Sequence, residues 1–187
     1  MLTSRWSGMT SIEPRVSVVT AAYNAETTIG RAMKSVETQT VDQRQVEHII
    51  VDDGSTDATV EVVNRHARKY TRVLRTPHTG ASESMNMGLR AARGEFLLLL
   101  DADDRLRPSM IAEMLNTFEE HPHAGYITCD YVEYATDGSV AIVEVDPQSV
   151  GDLLTNGVMH RRDLMYAFGL FDLSMHFSEY TLYLQYE

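Results

Sequence analysis

Four short blocks carry side chains able to do chemistry. In EFLLLLDADDRLRP, Glu95 to Pro108, an apolar run ends in Asp101, Asp103 and Asp104. Carboxylates this close repel one another, so the cluster needs a reason. Solvation with helix capping ahead of Pro108 is one. A site for Mg2+ or Mn2+, hard cations that take carboxylates and phosphates together, is the other. In VDDGSTD, Val51 to Asp57, two adjacent acids precede a glycine turn, and Asp53 could accept a hydrogen bond from a ligand N–H. The acid spacing does not fit an EF-hand loop. In AAYN, Tyr23 is a core tyrosine or a platform on which a flat base stacks. In GASESMNMG, Asn86 and Gly88 have no local reason, which points to close backbone contact with a sheet or a ligand.

The elements around these blocks decide whether they meet. RVSVVT, Arg15 to Thr20, reads as a first strand, followed by a helix with Ile29, Met33 and Val36 at helical spacing. VEHIIV, Val46 to Val51, is the second strand. The next helix, capped by Ser55 or Thr56, is expected to bury Val60, Val63 and Ala67. RVLRT is a third strand, and PHTGASESMNMG enters a helix ending near Ala92, with Gly94 past its end. EFLLLL is the fourth strand. Pro108 opens a helix carrying Ile111, Met114, Leu115 and Phe118. This alternation predicts βαβ units and a mostly parallel sheet, and the solid runs HIIV and FLLLL fit strands covered on both faces. Beyond His121, AGYITCDYVEYATDGSVAIVEV reads as two strands joined at Asp137-Gly138. A short helix SVGDLL, a strand near Val158 to His160 and a helix from Arg162 to Phe168 complete the pattern. In an open α/β sheet the ligand lies beyond the C-terminal ends of the strands. AAYN, DDGSTD and DADD are therefore expected to converge on one crevice.

Composition bounds the partners. The 187 residues suffice for one core, and the formal net charge of −11 argues against nucleic acid, whose binding rests on neutralised phosphates. It also argues against adsorption to an anionic membrane. An anionic ligand would need a cation between it and the chain. The single cysteine, Cys129, excludes an intrachain disulfide and a cysteine-based zinc site, and its apolar surroundings predict a buried structural thiol. No apolar run is long enough to span a membrane, and the first residues lack a secretory apolar stretch, so a cytoplasmic protein is expected.

The ordered set VSVVTAAYN, VDDGSTD, GASESMNMG and ARGEFLLLLDADD resembles the family 2 glycosyltransferases of the GT-A fold, and MHRRDLMYAFGLFDLSMHFSEYTLYLQ resembles that family's acceptor-side segment. The resemblance implies a single catalytic domain over 15–187 behind an N-terminal extension at 1–14. Its nucleotide-binding half would be 15–105 and its acceptor-side half 106–187. It implies transfer of a sugar, with inversion, from a nucleotide-diphosphate sugar to a carbohydrate or other hydroxyl acceptor. By position, Ala21, Tyr23 and Asp53 would hold the base, with Asn86 among the substrate contacts. Asp101 and Asp103 would form the DxD pair for ribose and metal, with Asp104 able to share the role. Glu179 falls where the family has the aspartate of its ED motif, the general base. Two positions depart from the pattern: Met85 stands where the family often has arginine, and the ED pair reads Ser178-Glu179. The chemistry agrees, because a divalent cation can stabilise a leaving diphosphate and one carboxylate base opposite it gives inversion.

Three rivals accompany this reading. One is a nucleotide-sugar-binding protein of the same fold that is inactive by itself or a truncated fragment. A haloacid-dehalogenase-type phosphatase also ends an apolar strand in D-x-D, but no lysine follows Lys69 and the usual threonine is missing. A nucleotidyltransferase would carry a glycine- and arginine-rich loop that TAAYNAE lacks. The sugar, the base, the acceptor and the oligomeric state are not written in the sequence. Arg161 and Arg162 are read as solvent-facing rather than as acceptor contacts.

Overall fold

The computed structural model describes residues 13–135, 137–144, 157–167 and 169–170. Eight strands and five helices alternate for most of this length. Strands β1 (Val16–Ala22), β2 (Val46–Asp52), β3 (Thr71–Arg75) and β4 (Phe96–Leu99) are joined through helices α1 (Ile29–Glu37), α2 (Thr59–His66) and α3 (Ala81–Ala91). Helix α4 (Met110–Glu120) leads to β5 (Tyr126–Thr128). The hairpin β6 (Tyr131–Tyr134) and β7 (Val140–Val143) follows, then β8 (Val158–Arg161) and α5 (Arg162–Ala167). The main sheet has the order β3-β2-β1-β4-β8-β5. Its first four strands are mutually parallel, and β8 runs antiparallel between β4 and β5.

The chain reverses its direction of winding at β1, which pairs with β2 on one side and β4 on the other. That is the switch point at which open α/β sheets form their crevice. β2 is buried at every position: its run Ile49-Ile50-Val51 fits a strand covered on both faces, and Glu47, His48 and Asp52 are buried with it. One face packs Val16, Val18, Ile50 and Leu98 under α1, α2 and α4. The other packs Val19, Ile49, Val51, Leu97 and Leu99 under α3 and α5. The expected α/β class with helices on both faces is thus the observed one. Gly88 fits the expectation of close approach, because a Cβ there would collide with Val19 and would lie 3.1 Å from Val51 Cγ2. Any side chain at 88 would lift α3 off the sheet.

Several local expectations need correction. α2 buries Thr59 and Val63, whereas Val60 and Ala67 are only partly covered. The reason lies in its start: Asp57 accepts hydrogen bonds from the Thr59 N–H (2.9 Å) and hydroxyl, and Ala58 N–H donates to Glu26 Oε2 at 2.8 Å. Asp57 and Glu26, not Ser55 or Thr56, satisfy the first turn, and this sets the rotation of the helix. The region after His121 is three strands, since β5 joins the main sheet and the chain breaks at Cys129 and Asp130 before the hairpin. Gly138, at φ +85°, supplies the turn of that hairpin. Cys129 is half-buried rather than fully buried, and burial raises its thiol pKa. Helix α5 is described over Arg162–Ala167, and Phe168, the SVGDLL helix and Glu179 lie outside the described residues. Arg161 does not face solvent freely. Its guanidinium donates to the carbonyls of Ala124 and Pro122, pairs with Glu95 and lies over Phe96 and Phe118. Arg162 donates to the Ala92 carbonyl at 3.3 Å.

Candidate functional site

Four loops emerge from the C-terminal ends of β1 to β4. Those after β1 and β2 are laced together. Asn24 takes the left-handed conformation at φ +49°, which its short polar side chain tolerates. Its N–H donates to Ser55 Oγ at 3.0 Å, and its Oδ1 accepts from Thr56 N at 2.9 Å. Ala25 N donates to Thr59 Oγ1 and Glu26 N to Asp57 Oδ2. AAYN and DDGSTD therefore form one rigid rim. Tyr23 stands on that rim with 46% of its surface exposed, so it is not a core tyrosine. Ala21 sits half-buried just below it.

Asp53 is the centre of the rim. Its N–H donates to the Ala22 carbonyl at 2.8 Å, fixing it to the end of β1. Only 2% of the residue is exposed. Its Oδ1 accepts the Thr76 hydroxyl and the Thr79 N–H (2.7 Å), and its Oδ2 accepts the Gly80 N–H at 2.9 Å. Burial raises the pKa of such a carboxyl, but the hydrogen bonds from Thr76, Thr79, Ser84 and Gly80 outweigh it and hold Asp53 below its ordinary value. Asp53 thus ties the β3–α3 loop to β2, a task not visible in the sequence. Its neighbour Asp52 is also buried and accepts from Arg75 Nε at 3.0 Å.

The acid cluster follows β4. Leu100 N–H donates to the Val19 carbonyl, so the loop begins beside the last residues of β1. Asp101, Asp103 and Asp104 are exposed, and each offers a carboxylate oxygen within 4.8 Å of the others'. The segment behind them is held from α1 and the residues just after it. Ser35 Oγ accepts the Leu106 N–H, Gln39 Nε2 donates to the Arg107 carbonyl at 2.7 Å, and Gln39 Oε1 accepts the Ile111 N–H. Thr40 N–H donates to the Pro108 carbonyl. Anchored at both ends, the loop cannot relieve its charge by swinging its backbone away. All-oxygen donors of this kind suit a hard divalent cation. Asn86 is buried on α3, 1% exposed, and Met85 packs into the apolar cluster beneath the sheet. Asp130 is exposed at the break between β5 and β6.

A sequence model of the glycosyl transferase family 2 matches residues 17–168. The chain belongs to this family. Among curated relatives of this family 2 member, EpsH of Bacillus subtilis strain 168, a protein named for glycosyl transfer, is 36% identical over 120 residues, which is 63% of this chain and 34% of EpsH. A poly(ribitol-phosphate) beta-glucosyltransferase of Bacillus spizizenii is 31% identical over 111 residues, covering 57% of this chain and 18% of its own length. The chain spans 18–49% of the length of curated relatives it matches. Among solved structures, residues 1–349 of Staphylococcus aureus TarS with UDP align at a TM-score of 0.72 and 23% identity, over 84% of this chain and 50% of that one. The mannosyltransferase PcManGT of Pyrobaculum calidifontis, in complex with GDP-Man and Mn2+, aligns at 0.66 and 22% identity, over 86% of this chain and 48% of that one. The fold of this family 2 member is therefore GT-A, and the phosphatase and nucleotidyltransferase readings fall away. No helix among the described residues is long and apolar enough to cross a membrane.

One residue of the crevice escaped the sequence reading. His78, in the loop after β3, stacks on Tyr23 with ring centroids 4.2 Å apart and planes 28° from parallel. Its only sequence signal was a histidine between a proline and a glycine at a strand end.

Proposed function

We propose that the chain is the donor-binding and catalytic part of a glycosyltransferase. It moves a sugar from a nucleotide-diphosphate sugar to a carbohydrate or other hydroxyl acceptor, with inversion, in the synthesis of a polysaccharide or glycoconjugate. The observation that carries this reading is the meeting of Asp101, Asp103 and Asp104 at the switch point of the sheet, on a loop pinned at both ends. Asp103, with Asp101 and Asp104, would hold Mn2+ or Mg2+, which would neutralise charge on the leaving diphosphate. Tyr23 and Asp53, with Ala21 beside them, would take the base; Asp101 would reach toward the ribose, and Asn86 would support the substrate from α3. Glu179 would deprotonate the acceptor. The similar structures hold UDP, UDP-GlcNAc or GDP-Man, and one also holds Mn2+, which supports a nucleotide-sugar donor and a divalent ion without choosing the base.

The test is donor hydrolysis, which needs no knowledge of the acceptor. UDP-GlcNAc, UDP-glucose and GDP-mannose are offered with Mn2+, and released nucleotide is measured. Asp103→Asn is expected to remove turnover and the Mn2+ dependence of nucleotide binding while the far-ultraviolet circular dichroism stays unchanged. Full turnover in Asp103→Asn, or in wild type with excess EDTA, refutes the metal site.

A further inference from the structure

His78 is held by contacts from three sides. It is a non-glycine residue at φ +61°. Gly54 packs so closely that a Cβ there would lie 2.9 Å from the His78 backbone nitrogen. The imidazole Nδ1 lies 3.1 Å from the Asp53 carbonyl oxygen and 3.3 Å from Asp53 Oδ2. Both are acceptors, so Nδ1 carries the proton. The ring lies flat on Tyr23, and more than half of the side chain faces solvent.

A flat ring on Tyr23 with a ring N–H at Asp53 is the pair of contacts that a nucleotide base would make here. Rings stacked 4.2 Å apart leave no room for a third between them, since two stacking distances need about 7 Å. A base that uses this face of Tyr23 must take the place of the imidazole. We propose that His78 is a built-in occupant of the base slot and that nucleotide binding displaces its ring. The proposal rests on the reading of Tyr23 and Asp53 as base contacts. The hydrogen bonding of Asp53 supports it. Thr76, Thr79, Gly80 and Ser84 keep their hydrogen bonds to the carboxylate when the imidazole leaves, and Oδ2 gives up only its 3.3 Å contact with Nδ1. An imide N–H, as on uracil or guanine, would take the place of the imidazole N–H at Asp53. The loop itself need not move, because Asp53 still holds it through Thr76, Thr79 and Gly80. His78 thus sets affinity by competition: the base gains what the imidazole gives up.

His78→Gly and His78→Asn test this, since both residues tolerate a positive φ and leave the loop in place. Mn2+-loaded wild type and variants are titrated with UDP, GDP and pyrophosphate by calorimetry. Each variant is expected to bind at least one of the two nucleotides about 2- to 10-fold more tightly, the range of one aromatic stack. Pyrophosphate, which has no base, should bind unchanged. In nuclear magnetic resonance spectra, the His78 ring protons should lie upfield in the free protein, under the Tyr23 ring, and move downfield at nucleotide saturation. Unchanged or weaker nucleotide binding in both variants, or ring protons that stay upfield at saturation, overturns the proposal. Tyr23→Ala tells the failures apart. If it weakens nucleotide binding while the His78 variants do not tighten it, only the displacement is wrong. If it leaves nucleotide affinity unchanged, or if neither nucleotide binds wild type, the base slot itself is wrong and the proposal falls with it.

Discussion

His48 gives a prediction that can be worked through in numbers. It lies in the middle of β2, 5% exposed, with Nε2 3.0 Å from Thr20 Oγ1. Burial lowers its pKa from 6.5 to about 3, so the imidazole is neutral in the folded protein. The unfolded chain binds a proton there near pH 6.5, and the folded chain does not. The stability is therefore fully present above pH 6.5 and is lost as pH falls from there toward about 3. Integrating the two titrations gives a loss of ~1 kcal/mol at pH 6 and ~2 kcal/mol at pH 5, relative to pH 8. The perturbation is His48→Gln, which keeps a side-chain hydrogen-bonding group for Thr20 and removes the titration. Urea unfolding at pH 8, 7, 6 and 5 yields the stability difference between wild type and variant. That difference should shift by ~2 kcal/mol against wild type across the range, whatever its value at pH 8. Parallel pH profiles for the two proteins would show that His48 is protonated when folded, or reaches water, and would refute the account of its burial.

Other outcomes follow from the same contacts. Gly88→Ala drives a methyl group into Val19 and should cost roughly 1–3 kcal/mol; an unchanged urea midpoint would mean that α3 shifts freely on the sheet. Asp53→Asn places an amide N–H against N–H donors and should cost about 1.5–3 kcal/mol, measured by denaturant unfolding at pH 7. Because the Asp53 pKa is depressed, its contribution is present above the ordinary value of 3.8 and lost as pH falls through the folded one, so this cost should shrink below about pH 4. Glu179→Gln should lower donor hydrolysis by roughly 10²–10⁴ without changing donor affinity, and Glu179→Asp should recover part of it. If Glu179→Gln hydrolyses donor at the normal rate, Asp130 is the next base to test.

The parts of the molecule legible in the sequence are those governed by local pattern. HIIV and FLLLL have no polar alternation, which admits only strands covered twice, and the order of the sheet follows from joining them through helices. The acids of DADD meet because a strand end delivers them together. What was missed depends on partners far along the chain. The face that α2 buries is set by Glu26, some thirty residues earlier, and Asp57, so counting apolar spacing from Val60 misjudged it. Asp53 was legible as an acid at a strand end, but its hydrogen bonds from Thr76, Thr79 and Gly80 were not, because nothing in VDDGSTD names those donors. Arg161 reads as a surface charge until the carbonyls of Pro122 and Ala124 and the ring of Phe118 are brought around it.

The placement of β8 between β4 and β5 has a consequence for the chain as it is made. β4 has β1 on one side from early on, but its other side is filled only by β8. Roughly 60 residues separate Leu99 from Val158, and at 5–20 residues per second their synthesis takes ~3–12 s. During that interval Phe96–Leu99 is an open edge, apolar on both faces and without a charge in the strand to discourage pairing. β5 cannot protect it, because β5 reaches the sheet only through β8. A nascent or truncated chain that stops short of Gly157 would therefore present a sticky ribbon next to its own acid loop. Such a chain is expected to bind holding chaperones or to precipitate, whereas one that includes Arg161 closes the edge.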